Sequence, residues 1–187
     1  EMACGEYGEG RMSEPSDIIK YTNDFINSLD FKPLRDYSAL VTSGPTKEMI
    51  DPVRFISNES SGKQGYTIAE KLSSLGAYTT LISGPTKLPN PNVDKVVHVS
   101  SADEMMLECD KALPVNIAIC AAAVADYKVM KQSETKIKKI GSRLDSTLEE
   151  NPYILSRLSK RNDQRPDLVV GFAAETEKLE ENSKIKL

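Results

Sequence analysis

The sequence has one histidine and three cysteines among 187 residues, and these shortages remove several chemistries at once. His98 cannot by itself build a His-rich metal cluster, and it argues against a serine-type triad; on a strand it reads as structural. Cys4, Cys109 and Cys120 show no paired metal spacing, and an odd number makes a poor disulfide framework. A reducing, cytoplasmic compartment is the simplest reading. There is no apolar run of the length a membrane span needs and no signal-peptide pattern. Basic charge is also short: 24 Lys and Arg against 28 Asp and Glu give a net charge of −4. A duplex binder wants a basic face, so nucleic acid is disfavoured, whereas a nucleotide needs only a few local cations. Two phosphate motifs are missing as well. No G-x-G-x-x-G follows the first strand, and Gly62-Lys63 lacks both the earlier glycine and the following hydroxyl of a P-loop. The pattern therefore disfavours a nicotinamide cofactor and an ordinary P-loop nucleotide hydrolase.

What is present suits about one domain with a real core. Residues 1–15 are glycine-rich, lack an initiator Met and read as the tail of an upstream domain. Residues 16–36 read as a connecting helix, with Ser16 able to cap it, and a linker holding Pro33. Residues 37–187 carry the main domain. Strand signals fall at Ala39–Thr42, Tyr78–Ile82, Lys95–Val99, Val115–Cys120 and Leu168–Phe172. Between them lie a helix capped near Ser60-Ser61-Gly62 and stopped by Gly76, and a helix opened by the capping box Ser101–Glu104. A third helix is introduced by Asn151 as cap and Pro152 as first helical residue. The residues after 172 look helical. Such alternation gives an α/β fold: a Rossmann-like parallel sheet in three layers, order 3-2-1-4-5. A polar flap or β excursion over 127–149 follows the fourth strand.

The loop after the first strand gathers residue types that grip phosphates and carboxylates. It lies where open parallel sheets bind ligands, beyond the carboxyl ends of the strands. Ser43-Gly44-Pro45-Thr46 is echoed by Ser83-Gly-Pro-Thr86, either as a shared binding turn or as two ordinary turns. Arg54 can fork a carboxylate or phosphate, or stand as a solvated arginine. Asn58 offers a donor and an acceptor, or forms an Asx turn. Ser60, Ser61 and Lys63 lead into a helix N-terminus that favours anions. Lys136, Lys138 and Lys139 can neutralise a triphosphate, or form a solvated face. Asp126 can hold Mg²⁺ on a nucleotide, or cap a turn. Ala121, Ala122 and Ala123 let a ligand approach the backbone, and Phe172, Ala173 and Ala174 offer a flat apolar seat. Cys109, Cys120, Met105 and Met106 read as core.

Several motifs in register resemble phosphopantothenate–cysteine ligase, in the form that is the second half of a bifunctional coenzyme A biosynthesis protein. They are Thr42-Ser-Gly-Pro-Thr46, Ile50-Asp-Pro-Val-Arg-Phe-Ile-Ser-Asn58, Ser60-Ser-Gly-Lys63, Ala121-Ala-Ala-Val-Ala-Asp-Tyr127, Lys136-Ile-Lys-Lys139, Asn151-Pro152 and Gly171-Phe-Ala-Ala-Glu-Thr176. The resemblance covers residues 36–187. Ala3-Cys-Gly-Glu-Tyr-Gly-Glu-Gly-Arg-Met12 also resembles the last motif of the preceding half, an FMN-dependent phosphopantothenoylcysteine decarboxylase in which Cys4 would be the proton donor.

The resemblance implies a two-step ligation, in which 4′-phosphopantothenate attacks CTP to give an acyl-cytidylate and cysteine then displaces CMP. It makes Asn58 and Lys136 catalytic, with Arg54, Ser60, Ser61 and Lys63 on the substrate. It places Ser43, Gly44, Thr46, Cys120, Ala121, Ala122, Asp126, Asn151, Pro152, Tyr153, Ile154, Phe172 and Lys186 at the nucleotide, with Mg²⁺ at Asp126. Tyr153 stands where the family usually has Asp. The chain stops before the family's next lysine and strand, which implies an impaired ligase on its own; FMN would belong only to the upstream domain. A homodimer is implied too. The alternative is a non-catalytic nucleotide-binding Rossmann module.

Overall fold

The computed structural model describes residues 13–28, 32–139, 144–160 and 163–173, the side chains of residues 27 and 28 excepted. Expectations for Cys4, Ala174, Lys186 and the helix after residue 173 lie outside the described residues. The chain divides into two units, residues 1–33 and 34–187. The first holds helix α1, Pro15–Ser28. The Glu14 carbonyl accepts from the N–H groups of Asp17 and Ile18 at 2.9 and 3.1 Å, so Pro15 is the first helical residue. Ser16 is thus inside the helix and not its cap, because proline has no N–H to lose at that position and already has helical φ. Ile18, Ile19, Phe25 and Ile26 are exposed along it.

The second unit is built on five parallel strands, β1 (Ser38–Ser43), β4 (Tyr78–Ser83), β5 (Lys95–His98), β6 (Ile117–Cys120) and β9 (Leu168–Gly171). Their spatial order is β5-β4-β1-β6-β9, the 3-2-1-4-5 arrangement the alternation predicts. β6 starts two residues later than its apolar run. At Asn116 the side chain takes over the pairing, its Oδ1 accepting from the Ser38 N–H at 3.0 Å.

Alternation along the strands sorts the core into two layers. Leu40 and Ile82 point to one face with Met105 and Cys109 of α3 (Ala102–Ala112) and Ile154 and Leu158 of α4 (Ile154–Ser159). Their neighbours Val41 and Leu81 point to the other, against Tyr66 and Ala69 of α2 (Lys63–Ser74). Each such fully buried side chain contributes on the order of 1.5–3 kcal/mol. Among the described residues no helix is long and apolar enough to cross a membrane.

Some helix ends follow their sequence signals and others do not. Ser101 and Glu104 form the expected capping box on α3. Gly76, at φ +99°, ends α2: its N–H donates to the Ser73 carbonyl and that of Ala77 to Leu72, at 2.9 and 3.1 Å. That pair of bonds is a Schellman motif, which needs a left-handed residue there. α4 departs from expectation, with Tyr153 as its cap residue and no side-chain cap bond. Asn151 does not cap: its amide is tied through Nδ2 to the Ala125 carbonyl at 2.8 Å, and its Oδ1, the atom that would accept from helix N–H groups, has no partner among the described residues. At α2 the cap residue is Gly62, in left-handed conformation. The Ser60 and Ser61 hydroxyls accept from the Gly62 and Lys63 N–H groups at 3.3 and 3.4 Å.

Two hairpins rise from the loops. β2 (Lys47–Met49) pairs antiparallel with β3 (Phe55–Ser57) inside the loop after β1, and β7 (Tyr127–Val129) pairs with β8 (Leu148–Glu150). The first hairpin escapes the sequence reading, although Asp51-Pro52 is a turn signal between its strands. The second makes the expected flap region a β excursion whose two ends are tied together.

The repeated Ser-Gly-Pro-Thr turns prove to be packing partners. β1 and β4 are adjacent and in register through Ser43 and Ser83, so both turns leave the sheet side by side. The Gly84 N–H donates to the Ser43 carbonyl at 2.9 Å, and a Cβ on Gly84 would come within 1.7 Å of the Pro45 oxygen. One on Gly65 would meet the Ser43 side chain at 2.4 Å. The Tyr66 hydroxyl lies 3.1 Å from both Ser83 Oγ and Thr86 Oγ1, so α2 is fastened to the same knot. Gly84→Ala must push backbone against backbone and is expected to lose roughly 3 kcal/mol. Gly171→Ala meets only Leu155 methyl groups and is expected to lose about 1 kcal/mol. Urea midpoints of the two variants at equal m-value check the contrast.

Candidate functional site

Where the strand order reverses, the carboxyl ends of β1, β6 and β9 open onto a cavity of about 620 Å³. Thr42, Cys120 and Gly171 form its floor at the three strand ends. Ala122 to Tyr127 and Glu150 to Leu155 form its sides, joined where Tyr127 pairs with Glu150, and Asn58 and Phe172 border it from the loops.

The alanine wall is held by its own backbone. Ala121 donates its N–H to the Thr42 carbonyl at 3.1 Å and Ala123 to that of Gly44 at 2.9 Å. Ala122 donates to the Thr42 hydroxyl at 3.3 Å, and Ala125 to the Thr46 hydroxyl at 3.0 Å. From the other side, the Asn151 N–H donates to the Asp126 carbonyl at 2.8 Å. These N–H groups are therefore committed to the loop after β1, and the small alanine side chains form the surface a ligand would meet. Asn58 closes the circuit, with Nδ2 donating to the Val124 carbonyl at 2.9 Å. Among the described residues nothing else meets its carboxamide, so Oδ1 and the second Nδ2 hydrogen remain available. The buried Asn151 Oδ1 also has no partner, an acceptor at the edge of the cavity.

Of the residues singled out by sequence, the cavity brings together Asn58, Cys120, Ala122, Asp126, Asn151, Pro152, Tyr153, Ile154 and Phe172. Ser43 and Thr46 are fully buried. The Ser43 hydroxyl donates to the Gly62 carbonyl at 2.8 Å, and that of Thr46 accepts from Ala125. Gly44, at φ +74°, lies against Gly84 and Thr86. These three frame the site from beneath and do not border it. Ser60, Ser61, Lys63, Arg54 and Lys136 also lie outside the cavity lining. Lys63 is exposed at the start of α2 and Lys136 is exposed in the flap.

Arg54 is engaged elsewhere. Its Nη1 meets the Asp51 carboxylate at 3.0 Å and its Nη2 donates to the Ile137 carbonyl at 3.2 Å. Sequence reasoning quoted Thr42 as the head of a motif without giving it a role, and passed over Glu150, which sits beside the Asn-Pro motif and brings a second carboxylate to the cavity.

Cys120 borders the cavity, but burial pushes its thiol up to about 12. Burial raises Cys109 as well, so neither thiol is poised as a nucleophile near neutral pH. Burial alone would also raise the Asp51 carboxyl, but N–H donors from Val53, Arg54 and Ile137, with the Arg54 guanidinium, outweigh it and hold the pKa below its ordinary 3.8.

The parallel sheet, the helices on its two faces and the cavity at the reversal of strand order define a three-layer α/β domain of Rossmann type. Residues 34–187 match the family described as the DNA/pantothenate metabolism flavoprotein C-terminal domain, and the chain belongs to that family. It is 43% identical over 187 residues to the coenzyme A biosynthesis bifunctional protein CoaBC of Haemophilus influenzae, covering 100% of this chain and 46% of the relative. The Escherichia coli protein of the same name is 41% identical over 189 residues, covering 99% and 46%. The chain thus spans about half the length of these curated relatives. A crystal structure of the C-terminal domain of CoaBC superposes with TM-score 0.71 at 40% identity, covering 83% of this chain and 74% of the other. The DNA/pantothenate metabolism flavoprotein from Streptococcus pneumoniae gives 0.66 at 26% identity, covering 80% and 78%.

Two outcomes follow from the titrations. A depressed carboxyl stabilises the fold above its unfolded pKa and ceases to as pH falls through the folded value. Stability should therefore decline below about pH 4, and Asp51→Asn should flatten that part of the profile in acid melts. Iodoacetamide at pH 8 should leave the Cys109 and Cys120 peptides unmodified in the native protein and label both in urea, as read by mass spectrometry.

Proposed function

We propose that the domain is the phosphopantothenate–cysteine ligase half of a coenzyme A biosynthesis protein, with the cavity as its nucleotide site. The observation that carries the reading is the cavity itself: the motif residues Asn58, Ala122, Asp126, Asn151 and Phe172, far apart in sequence, all border it. The family membership and the bifunctional relatives support the same reading.

In the first step the carboxylate oxygen of 4′-phosphopantothenate forms a bond to the α-phosphorus of CTP, and pyrophosphate leaves with the electrons of the broken P–O bond. In the second, the amine of cysteine adds to the acyl carbon, loses a proton, and CMP leaves to give the amide. The phosphate of phosphopantothenate would lie at the N-terminus of α2 beside Lys63, where the helix dipole favours an anion. Asn58, between that helix end and the cavity, would hold the acyl-phosphoryl oxygens with its free Oδ1 and N–H. Phe172, 51% exposed, would offer its ring to the base, and the flap would bring Lys136 to the departing phosphates. Stabilising charge at the transferring phosphorus is the larger part of such catalysis.

Magnesium fits the residues present in a limited way. Among the described residues there is no cluster of three metal-ligating side chains, but Asp126 and Glu150 border the same cavity. One or two carboxylates are what a cation held mainly by nucleotide phosphates requires. When bound, it would neutralise the triphosphate; Asp126 and Glu150 would orient it. The reading also assigns a homodimer, and FMN with Cys4 as proton donor to the decarboxylase half of a full-length protein.

The test uses a C-terminally extended chain, mixed with 4′-phosphopantothenate, Mg²⁺ and CTP or ATP, without cysteine. An acyl-cytidylate mass that vanishes when cysteine is added is expected, and Asn58→Ala should lower its rate of formation about 10²–10³-fold. An adenylate instead would change the nucleotide. No intermediate with either would favour a binding module.

A further inference from the structure

Asp51 stands apart from the cavity and has no place in the ligation scheme, yet its side chain is 0% exposed and bears four hydrogen bonds. Oδ1 accepts from the backbone N–H groups of Val53 and Arg54, both at 2.8 Å. That half is a local turn, closed within three residues. Oδ2 does something else. It accepts from Arg54 Nη1 at 3.0 Å and from the backbone N–H of Ile137 at 3.1 Å.

Arg54 repeats the reach, its Nη2 donating to the Ile137 carbonyl at 3.2 Å. The peptide groups on both sides of Ile137 are therefore gripped by one ion pair from the β2–β3 hairpin, its carboxylate buried and its arginine side chain 40% exposed. A third tie lies nearby, where the Ser133 N–H donates to the Ile50 carbonyl at 3.0 Å. Ile137 is half-buried, while Lys136 and Lys138 on either side of it are exposed.

A turn alone would need only Oδ1. The second oxygen, and the second nitrogen of the arginine, are spent on a segment more than eighty residues away. We propose that Asp51 is a positioning residue: with Arg54 it clamps the backbone of Ile137, and so fixes Lys136 and Lys138 relative to the loop that ends in Asn58. What the lysines then act on rests on the ligase reading; the clamp itself does not. Arg54 in this account serves the flap through its guanidinium fork, which a lysine could not reproduce.

The test compares three proteins in the full-length form: parent, Asp51→Asn and Ile137→Pro. Asp51→Asn keeps the Oδ1 turn but turns Oδ2 into a donor facing two donors. Ile137→Pro removes the N–H that Oδ2 accepts and leaves Asp51 intact, so it answers the question should the first variant fail to fold. Brief trypsin digestion at native pH reads the clamp directly. Cleavage after Lys138 and Lys139 is expected to quicken about tenfold in both variants, with sites elsewhere unchanged, as local opening requires.

In steady-state ligation, kcat is expected to fall about tenfold or more, with KM for phosphopantothenate near the parent value. The loss should be non-additive with Lys136→Ala, since the two act through one group. Unchanged flap cleavage in the variants that fold would overturn the clamp. Faster cleavage with parental kcat, or losses that simply add to those of Lys136→Ala, would overturn the positioning role. A parent that does not ligate would sink the ligase reading, while the digestion would still decide whether Asp51 holds the flap.

Discussion

The contact between Gly84 and Pro45 is the constraint on which the site depends. No side chain fits between them, so the turns after β1 and β4 lie directly on one another. That fixes the direction in which the loop after β1 leaves the sheet. The end of β1 and the same loop supply the Thr42, Gly44 and Thr46 oxygens that receive the N–H groups of Ala121, Ala122, Ala123 and Ala125, and so set where the alanine wall stands. Tyr66 and Gly65 bring α2 down onto the knot, which places the helix N-terminus beside the loop to Asn58. A backbone shift of a few tenths of an ångström at this knot would reach both walls of the cavity.

The described polar groups are divided between holding and presenting. Ser43, Thr46 and Asp51 are buried and bonded within the protein, although by residue type they could have contacted a ligand. Asn58, Asp126, Glu150 and Phe172 face the cavity or its rim. Arg54 belongs with the holders, since its two terminal nitrogens are used on Asp51 and Ile137. Side chains that resemble phosphate grips in a sequence are thus often the ones that keep a loop in shape. A loop of this length needs such internal bonds, having little apolar surface to bury.

The sheet was legible because each strand signal ends in a turn or small-residue signal, and strand–helix alternation leaves few topologies. Leu40 and Val41 could be assigned to opposite faces by alternation alone. The β2–β3 hairpin was less visible: Lys47-Glu-Met49 and Phe55-Ile-Ser57 are too short for periodicity to register, and only the Asp-Pro turn between them marks it. Asn151 misled for a physical reason. Asn followed by Pro is a good helix start, but here the amide is tied to the Ala125 carbonyl earlier in the chain, and Tyr153 takes the cap position. Cavity membership was legible for Cys120 and Phe172 and illegible for Ser43 and Thr46, because a hydroxyl beside a ligand and one beneath it look alike in one dimension.

The cavity's floor and walls come from β1, β6, β9 and the loops between, so no contiguous stretch of chain contains a partial version of it. Parallel pairing of β6 with both β1 and β9 must precede any binding surface, and such non-local pairing forms slowly. A ligand of this cavity consequently has affinity only for the assembled domain and none for its pieces. At free concentration L it then stabilises the folded form by RT ln(1 + L/Kd), so the abundance of the folded form would follow the concentration of the ligand in the cell.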